Sequence, residues 1–178
     1  MERKMRRRAV RRTSFESDYA AFLEEVKGKI RRARSKGLHS VTRSMTQIFQ
    51  KIGQWIVEYE HRPGKSTAAR LSEDLINTFG GKLVFSEKNL WQMRQFYQIY
   101  KTSPRLLKSL EEIPWSQNLL IMSKAKTQAE REFYIKETLR EGWTQEELLS
   151  QIERRTSRRF AGTKAISMLR DSYGSNRN

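Results

Sequence analysis

The stretch LSEDLINTFGGKLVFSEKNLWQMRQFYQIY, residues 71–100, decides the fold. Leu71, Leu75 and Phe79 recur at a spacing of four, the period of a helix with one buried face. The pattern extends this helix back to about Ser66. Gly80-Gly81 follows, and paired glycines end helices because they adopt the left-handed backbone of a C-cap. Ser86 is an N-cap residue type, whose side-chain oxygen can accept from the first free backbone N–H groups of a helix. A further helix is therefore predicted from 87 to about 101, with Lys82-Leu83-Val84-Phe85 as a short extended link. On a wheel of about 100° per residue, Leu90, Met93, Phe96, Tyr97 and Tyr100 fall on one side and are expected in the core. Lys88, Gln92 and Gln95 fall on the other, flanked by Arg94, Gln98 and Trp91. Burial of Trp91 against a neighbouring helix is the expectation, and stacking on a base or sugar is the alternative.

The same periodicity continues on both sides. Phe15, Tyr19, Phe22, Leu23, Val26, Ile30 and Ala33 mark an amphipathic helix, and Val41, Met45, Ile48, Ile52, Ile56 and Tyr59 extend the rhythm to about residue 60. Gly37 either splits this segment into two helices or weakens one long one. His61-Arg62-Pro63-Gly64 stops it. Downstream, Pro104 permits a short helix through Ile113, and Pro114-Trp115-Ser116 opens one over 116–125. Thr127 with Glu130, and Thr144 with Glu147, have the spacing of reciprocal capping boxes. They start helices that run to about Gly142 and to Ile152 or beyond. No segment alternates with a period of two. The expected class is all-α: a long N-terminal helix or helix pair, then a helix-turn-helix-like bundle, winged or not. The expected divisions are a basic flexible arm over 1–14, a helical domain over 15–155 and a basic tail over 156–178.

Lys and Arg number 36 against 20 Asp and Glu, a formal net charge of +16. A charge of that size attracts polyanions, whose counterions are released on binding. It is concentrated at the ends. Residues 1–12 hold seven basic residues against Glu2, and residues 154–178 hold seven against Asp171. These ends are read as arms that contact phosphate through Arg6, Arg7, Arg8, Arg11 and Arg12, and through Arg154, Arg155, Arg158 and Arg159. The competing reading is solvated tails. Specific contacts are expected from the helix at 87–101, where Lys88, Gln92, Arg94 and Gln95 carry side chains suited to base edges and phosphates.

Catalytic chemistry finds little support. The chain has no cysteine, which excludes disulfides, thiolate zinc sites and cysteine nucleophiles. Gly64-Lys65-Ser66 resembles the end of a phosphate-binding loop, but Tyr59 stands where the first glycine belongs and a helix replaces the required strand. Asp18 with Glu25-Val26-Lys27 matches a metal-dependent nuclease spacing, yet all three fall on an amphipathic helix rather than on adjacent strands. His39 and His61 have no ligand partners at helical spacing. No catalytic residue, metal ligand or cofactor site is assigned. No apolar run reaches the length of a membrane span, and the basic first residues are followed by no apolar h-region, so no secretory signal is expected and cytoplasmic residence is the expectation.

Five segments carry a resemblance: IGQWIVEYE (52–60), GKSTAARLSEDLINTFGG (64–81), FSEKNLWQMRQFY (85–97), IPW (113–115) and EREFYIKETLREGWTQEELLSQIE (130–153). Together they resemble the N-terminal domain of the YhcG-like family of bacterial PDDEXK nucleases, over about residues 17–155. The resemblance implies an all-helical, helix-turn-helix-like domain that binds DNA and precedes a nuclease domain. This sequence stops where that nuclease domain would begin, and residues 154–178 are too few to build it. Family members often carry histidines after the Trp of the IPW block. Ser116, Gln117 and Asn118 stand there in this chain, so no role of those histidines carries over.

The expected function is a non-catalytic DNA-binding domain whose expected partner is duplex DNA, with RNA or single-stranded DNA left open by Trp91, whose ring could equally serve a single strand. The alternatives are a dimerisation or docking module for a separate nuclease subunit, built on the helix at 15–60, and a truncated nuclease.

Overall fold

The computed structural model describes residues 2–34, 38–59 and 67–157, with side chains described over 15–33, 41–59 and 67–157. The described residues are all-α, with eight helices and no strand. They are α1 (Glu2–Arg34), α2 (Leu38–Tyr59), α3 (Thr67–Phe79), α4 (Glu87–Tyr100), α5 (Pro104–Leu110), α6 (Trp115–Lys124), α7 (Gln128–Glu141) and α8 (145–157). The chain divides into two compact units, one ending at Pro114 and the other starting at Trp115.

In the first unit, α1 and α2 form the helix pair that was one of the two readings of 15–60. Each buries its apolar stripe: Tyr19, Phe22, Val26, Ile30 and Ala33 on α1, and Ile48, Phe49, Ile52, Trp55 and Ile56 on α2. Aromatic rings fasten the pair. Phe22 stacks on Trp55 with centroids 4.5 Å apart and planes inclined by 8°, and Trp55 stacks on Tyr59 at 4.7 Å. The backbone of α1 is helical from Glu2, so the segment expected as a flexible arm continues that helix.

The other side of α2 packs on α4, the most extensive helix pairing in the unit. Gly53 allows the approach. A Cβ at this position would collide with the Met93 carbonyl and lie 3.0 Å from the Tyr97 Cβ. Two helices meet this closely only where one presents no side chain. The wheel reading of α4 holds for Leu90, Met93, Phe96 and Tyr100, all buried, while Tyr97 is half-buried.

The connection from α3 to α4 departs from expectation. Gly80 and Gly81 adopt φ of 68° and 66°, and the Gly80 N–H donates to the Ile76 carbonyl at 2.8 Å, closing α3 as a left-handed C-cap does. Residues 82–85 are then a turn, not an extended link. The Phe85 N–H returns to the Gly81 carbonyl at 3.0 Å, and Phe85 itself is buried. Three polar side chains hold the turn. Ser72 donates to the Phe85 carbonyl at 2.6 Å, Asn89 to the Val84 carbonyl at 2.6 Å, and Ser86 to the Leu83 carbonyl at 3.1 Å. Ser86 also caps α4, accepting from the Asn89 N–H at 3.3 Å.

After α5, the chain unwinds through bonds of the i+3 type, Glu112 to Ser109 and Ile113 to Leu110, so the helix ends at Leu110 rather than Ile113.

In the second unit both capping boxes form. The Thr127 hydroxyl accepts from the Glu130 N–H while the Glu130 carboxylate accepts from the Thr127 N–H, each at 3.2 Å. Thr144 and Glu147 repeat the arrangement at 3.3 and 2.8 Å at the start of α8. The backbone N–H and then the hydroxyl of Thr144, both donating to Glu147, hold its carboxyl below the ordinary glutamate range. Gly142 closes α7 at φ 65°. Ile121, Met122, Ala125, Tyr134, Ile135, Leu148 and Ile152 are buried.

Candidate nucleic-acid interface

With α2 covering one side of α4, the opposite side faces solvent. Lys88 and Gln95 are exposed there, with Gln92 and Arg94 half-buried at its two margins. The structure thus places the four sequence-predicted residues of 87–101 on the uncovered part of one helix. Arg94 is already engaged: it donates to Gln98 at 2.9 Å and its guanidinium lies 5.4 Å from the Trp91 ring centroid.

Trp91 is the correction. It is 40% exposed rather than packed against a neighbouring helix. Its indole N–H donates to Glu87 at 3.4 Å, one turn earlier. The helix wheel had placed Trp91 on the polar side, and that position was the signal for exposure. Glu87 was missed altogether as part of this face, which therefore has an acid at its N-terminal end. In the turn that precedes α4, Leu83 is 89% exposed and Val84 is 39% exposed.

The predicted arm residues fall elsewhere. The side chains of Arg6, Arg7, Arg8, Arg11 and Arg12 lie outside the described residues, although their backbone belongs to α1. Arg158 and Arg159 also lie outside them. Arg154 and Arg155 are exposed on α8, in the second unit. Arg155 is positioned 4.1 Å from the Phe133 ring centroid of α7, a cation–π contact.

The residues of the nuclease-like spacing are engaged in ion pairs and a hydrogen bond. Glu25 pairs with Lys51 of α2 and with Lys29, and the Lys51 bond holds its carboxyl below the ordinary range. Lys27 pairs with Glu24 at 3.2 Å, and Asp18 accepts from Tyr59 at 3.5 Å. Among the described residues no three His, Cys, Asp or Glu side chains gather as a metal site would require, and no helix is long and apolar enough to cross a membrane. His39 and His61 and the Gly64-Lys65-Ser66 motif lie outside the described side chains. After the IPW block, Gln117 and Asn118 are buried, and Gln117 donates to the Trp143 carbonyl at 2.6 Å. That bond ties α6 to the α7–α8 connection.

Comparison with known proteins bears out the resemblance. Residues 25–159 match the DUF1016 N-terminal domain. A relative from Escherichia coli (strain K12), named "Putative nuclease YhcG", is 34% identical, in an alignment that covers 67% of this chain and 40% of the relative. The chain thus spans less than half the length of this curated relative. No solved structure matches. With well over half of its length matched, the chain belongs to the DUF1016 N-terminal domain family.

Proposed function

We propose that this chain is a non-catalytic DNA-binding domain and that α3, the 82–85 turn and α4 act as a helix-turn-helix-like reader. One observation carries the proposal. The packing of α2 on α4 leaves uncovered the α4 side that bears Lys88, Gln92, Arg94 and Gln95, in a chain of net charge +16. Lys and Arg neutralise phosphate, and Gln and Arg offer hydrogen-bonding groups to base edges. A relative named a nuclease makes a nucleic acid the natural partner. We place the nuclease chemistry of such relatives outside the residues matched here. Cytoplasmic residence remains part of this proposal.

The dimerisation alternative draws less support, because the apolar stripes of α1 and α2 that would form its interface are buried within the chain. The test is an anisotropy titration of labelled duplex DNA between 50 and 300 mM salt. We expect affinity to fall steeply with salt, since each phosphate contact contributes about one unit to the log–log slope. Replacing Lys88, Gln92 and Gln95 together with alanine should weaken binding about tenfold or more. Absence of binding at low salt, or indifference to salt, removes the proposal.

A further inference from the structure

We propose that the Trp91 face of α4, with the turn before it, binds an unpaired nucleobase of a single strand; this rests on the DNA-binding reading and goes beyond it. Trp91 lies at the middle of the exposed α4 side, between Glu87, Lys88, Gln95 and Gln98 on the helix wheel. Indole has one polar group, a donor N–H, and here that N–H is turned to Glu87. What Trp91 offers a ligand is therefore its ring. A base edge in a duplex groove is read chiefly by hydrogen bonds, and to that readout this ring offers only an apolar contact such as one to a thymine methyl. The π-face of an unpaired base is complementary to it.

The side chain is also positioned in advance. Glu87 holds one edge, and Arg94, itself bonded to Gln98, lies against the ring. A fixed aromatic loses little entropy when a base stacks on it.

The turn adds a second observation. Leu83 is 89% exposed, yet its backbone is fixed by the Ser86, Asn89 and Ser72 bonds around it. A rigid turn that keeps an apolar side chain in water presents that side chain for contact. Lys82 and Lys88, on either side of it in sequence, supply the charge that a phosphate backbone requires. Glu87 favours a single strand. Duplex DNA brings one phosphate charge per about 1.7 Å of axis, and a lone strand carries about half that density.

The experiment titrates the full chain with fluorescein-labelled dT20, rU20 and a blunt 20-base-pair duplex at one salt concentration. Trp91→Ala, Trp91→Phe and Leu83→Ser are measured beside the parent, with circular dichroism as the fold control. The expected result is tighter binding of one or both single strands than of the duplex. Trp91→Ala should weaken the single-strand affinity about tenfold or more and the duplex affinity by clearly less. Trp91→Phe should retain most of the affinity, and Leu83→Ser should cost a few-fold. The dT20 and rU20 arms assign the strand to DNA or RNA. If the duplex binds and Trp91→Ala changes nothing, the stacking site is overturned while the DNA-binding reading stands. If none of the three ligands binds, both fall together.

Discussion

The two units are held by different kinds of contact. In the first, local links such as Lys27–Glu24 and Arg94–Gln98 are joined by several that span long distances in sequence: Glu16 to Arg70, Glu25 to Lys51, Arg43 to Glu112, and Tyr19 to Asp74. In the second, most polar links are local: the Thr127–Glu130 and Thr144–Glu147 boxes, and Arg140 with Glu137 and Glu141. Gln117 to Trp143 is a long-range exception. Surface ion pairs of either kind contribute little alone. What differs is what each unit needs in order to form. A locally capped helix is specified by its own sequence. The exposed side of α4 exists only because α2 and α3 are in place, so damage to tertiary packing should erase the candidate interface first.

The largest test is Gly53→Ala. Helix propensity alone favours alanine over glycine in a helix interior by about 1 kcal/mol. The collision with the Met93 carbonyl opposes this, and overpacking at a backbone contact costs about 3 kcal/mol. The expected outcome is net destabilisation in thermal melts. Hydrogen exchange should show protection lost in peptides from 41–59 and 87–100 but retained in 128–141. A stabilised variant would mean that the α2–α4 crossing is looser than described. Equal loss in both units would break the distinction between them.

A smaller effect is expected at Tyr19. Its hydroxyl donates to Asp74 of α3, Arg70 lies 4.1 Å from its ring centroid, and Arg70 in turn pairs with Glu16 at 2.8 Å. Burial first, then the bond to Asp74 and its charge, push the Tyr19 hydroxyl well above the ordinary tyrosine range, against the opposing influence of Arg70. A group whose folded pKa is raised contributes stability that is full below its unfolded value, about 10 for tyrosine. That contribution declines as pH rises above this value. Tyr19→Phe should lose about 2 kcal/mol near neutral pH, the scale of a hydrogen bond to a charged acceptor. It should also show a shallower decline in stability between pH 10 and 11.5. An unchanged alkaline limb would mean that other groups set it.

The same contrast explains what could be read in advance. The α4 wheel sorted Leu90, Met93, Phe96 and Tyr100 correctly because a 3.6-residue period is a local property. The Ser86 cap, the glycine C-cap and both capping boxes were equally local. Trp91 was misjudged because aromatic residues usually find cover, and whether a neighbour supplies it depends on how distant helices pack. The 82–85 link failed for the same reason: its β-branched and aromatic residues suit a strand, but Ser72 and Asn89 hold it as a turn. Gly53 could not be read from its own helix, because what it accommodates is the Met93 carbonyl of α4, a neighbour that only the tertiary packing supplies. Of the candidate face, the position of the basic and amide residues on the uncovered side of α4 was legible, and the exposure of the aromatic at its centre and the acid beside it was not.

The smallest test returns to the second unit. Thr127→Ala removes the hydroxyl that accepts from the Glu130 N–H, and leaves the Glu130 carboxylate able to accept from the backbone N–H groups of Lys126 and Thr127. Losing one arm of a capping box costs about 1 kcal/mol. The loss should appear as faster exchange in the first turn of α7, with peptides from 41–59 and 87–100 unchanged and nucleic-acid affinity unaltered. Thr127→Ser, which keeps the oxygen, should restore protection. If the alanine variant instead disturbs α4, the effect of a lost cap is not local, and the contrast drawn between the two units fails.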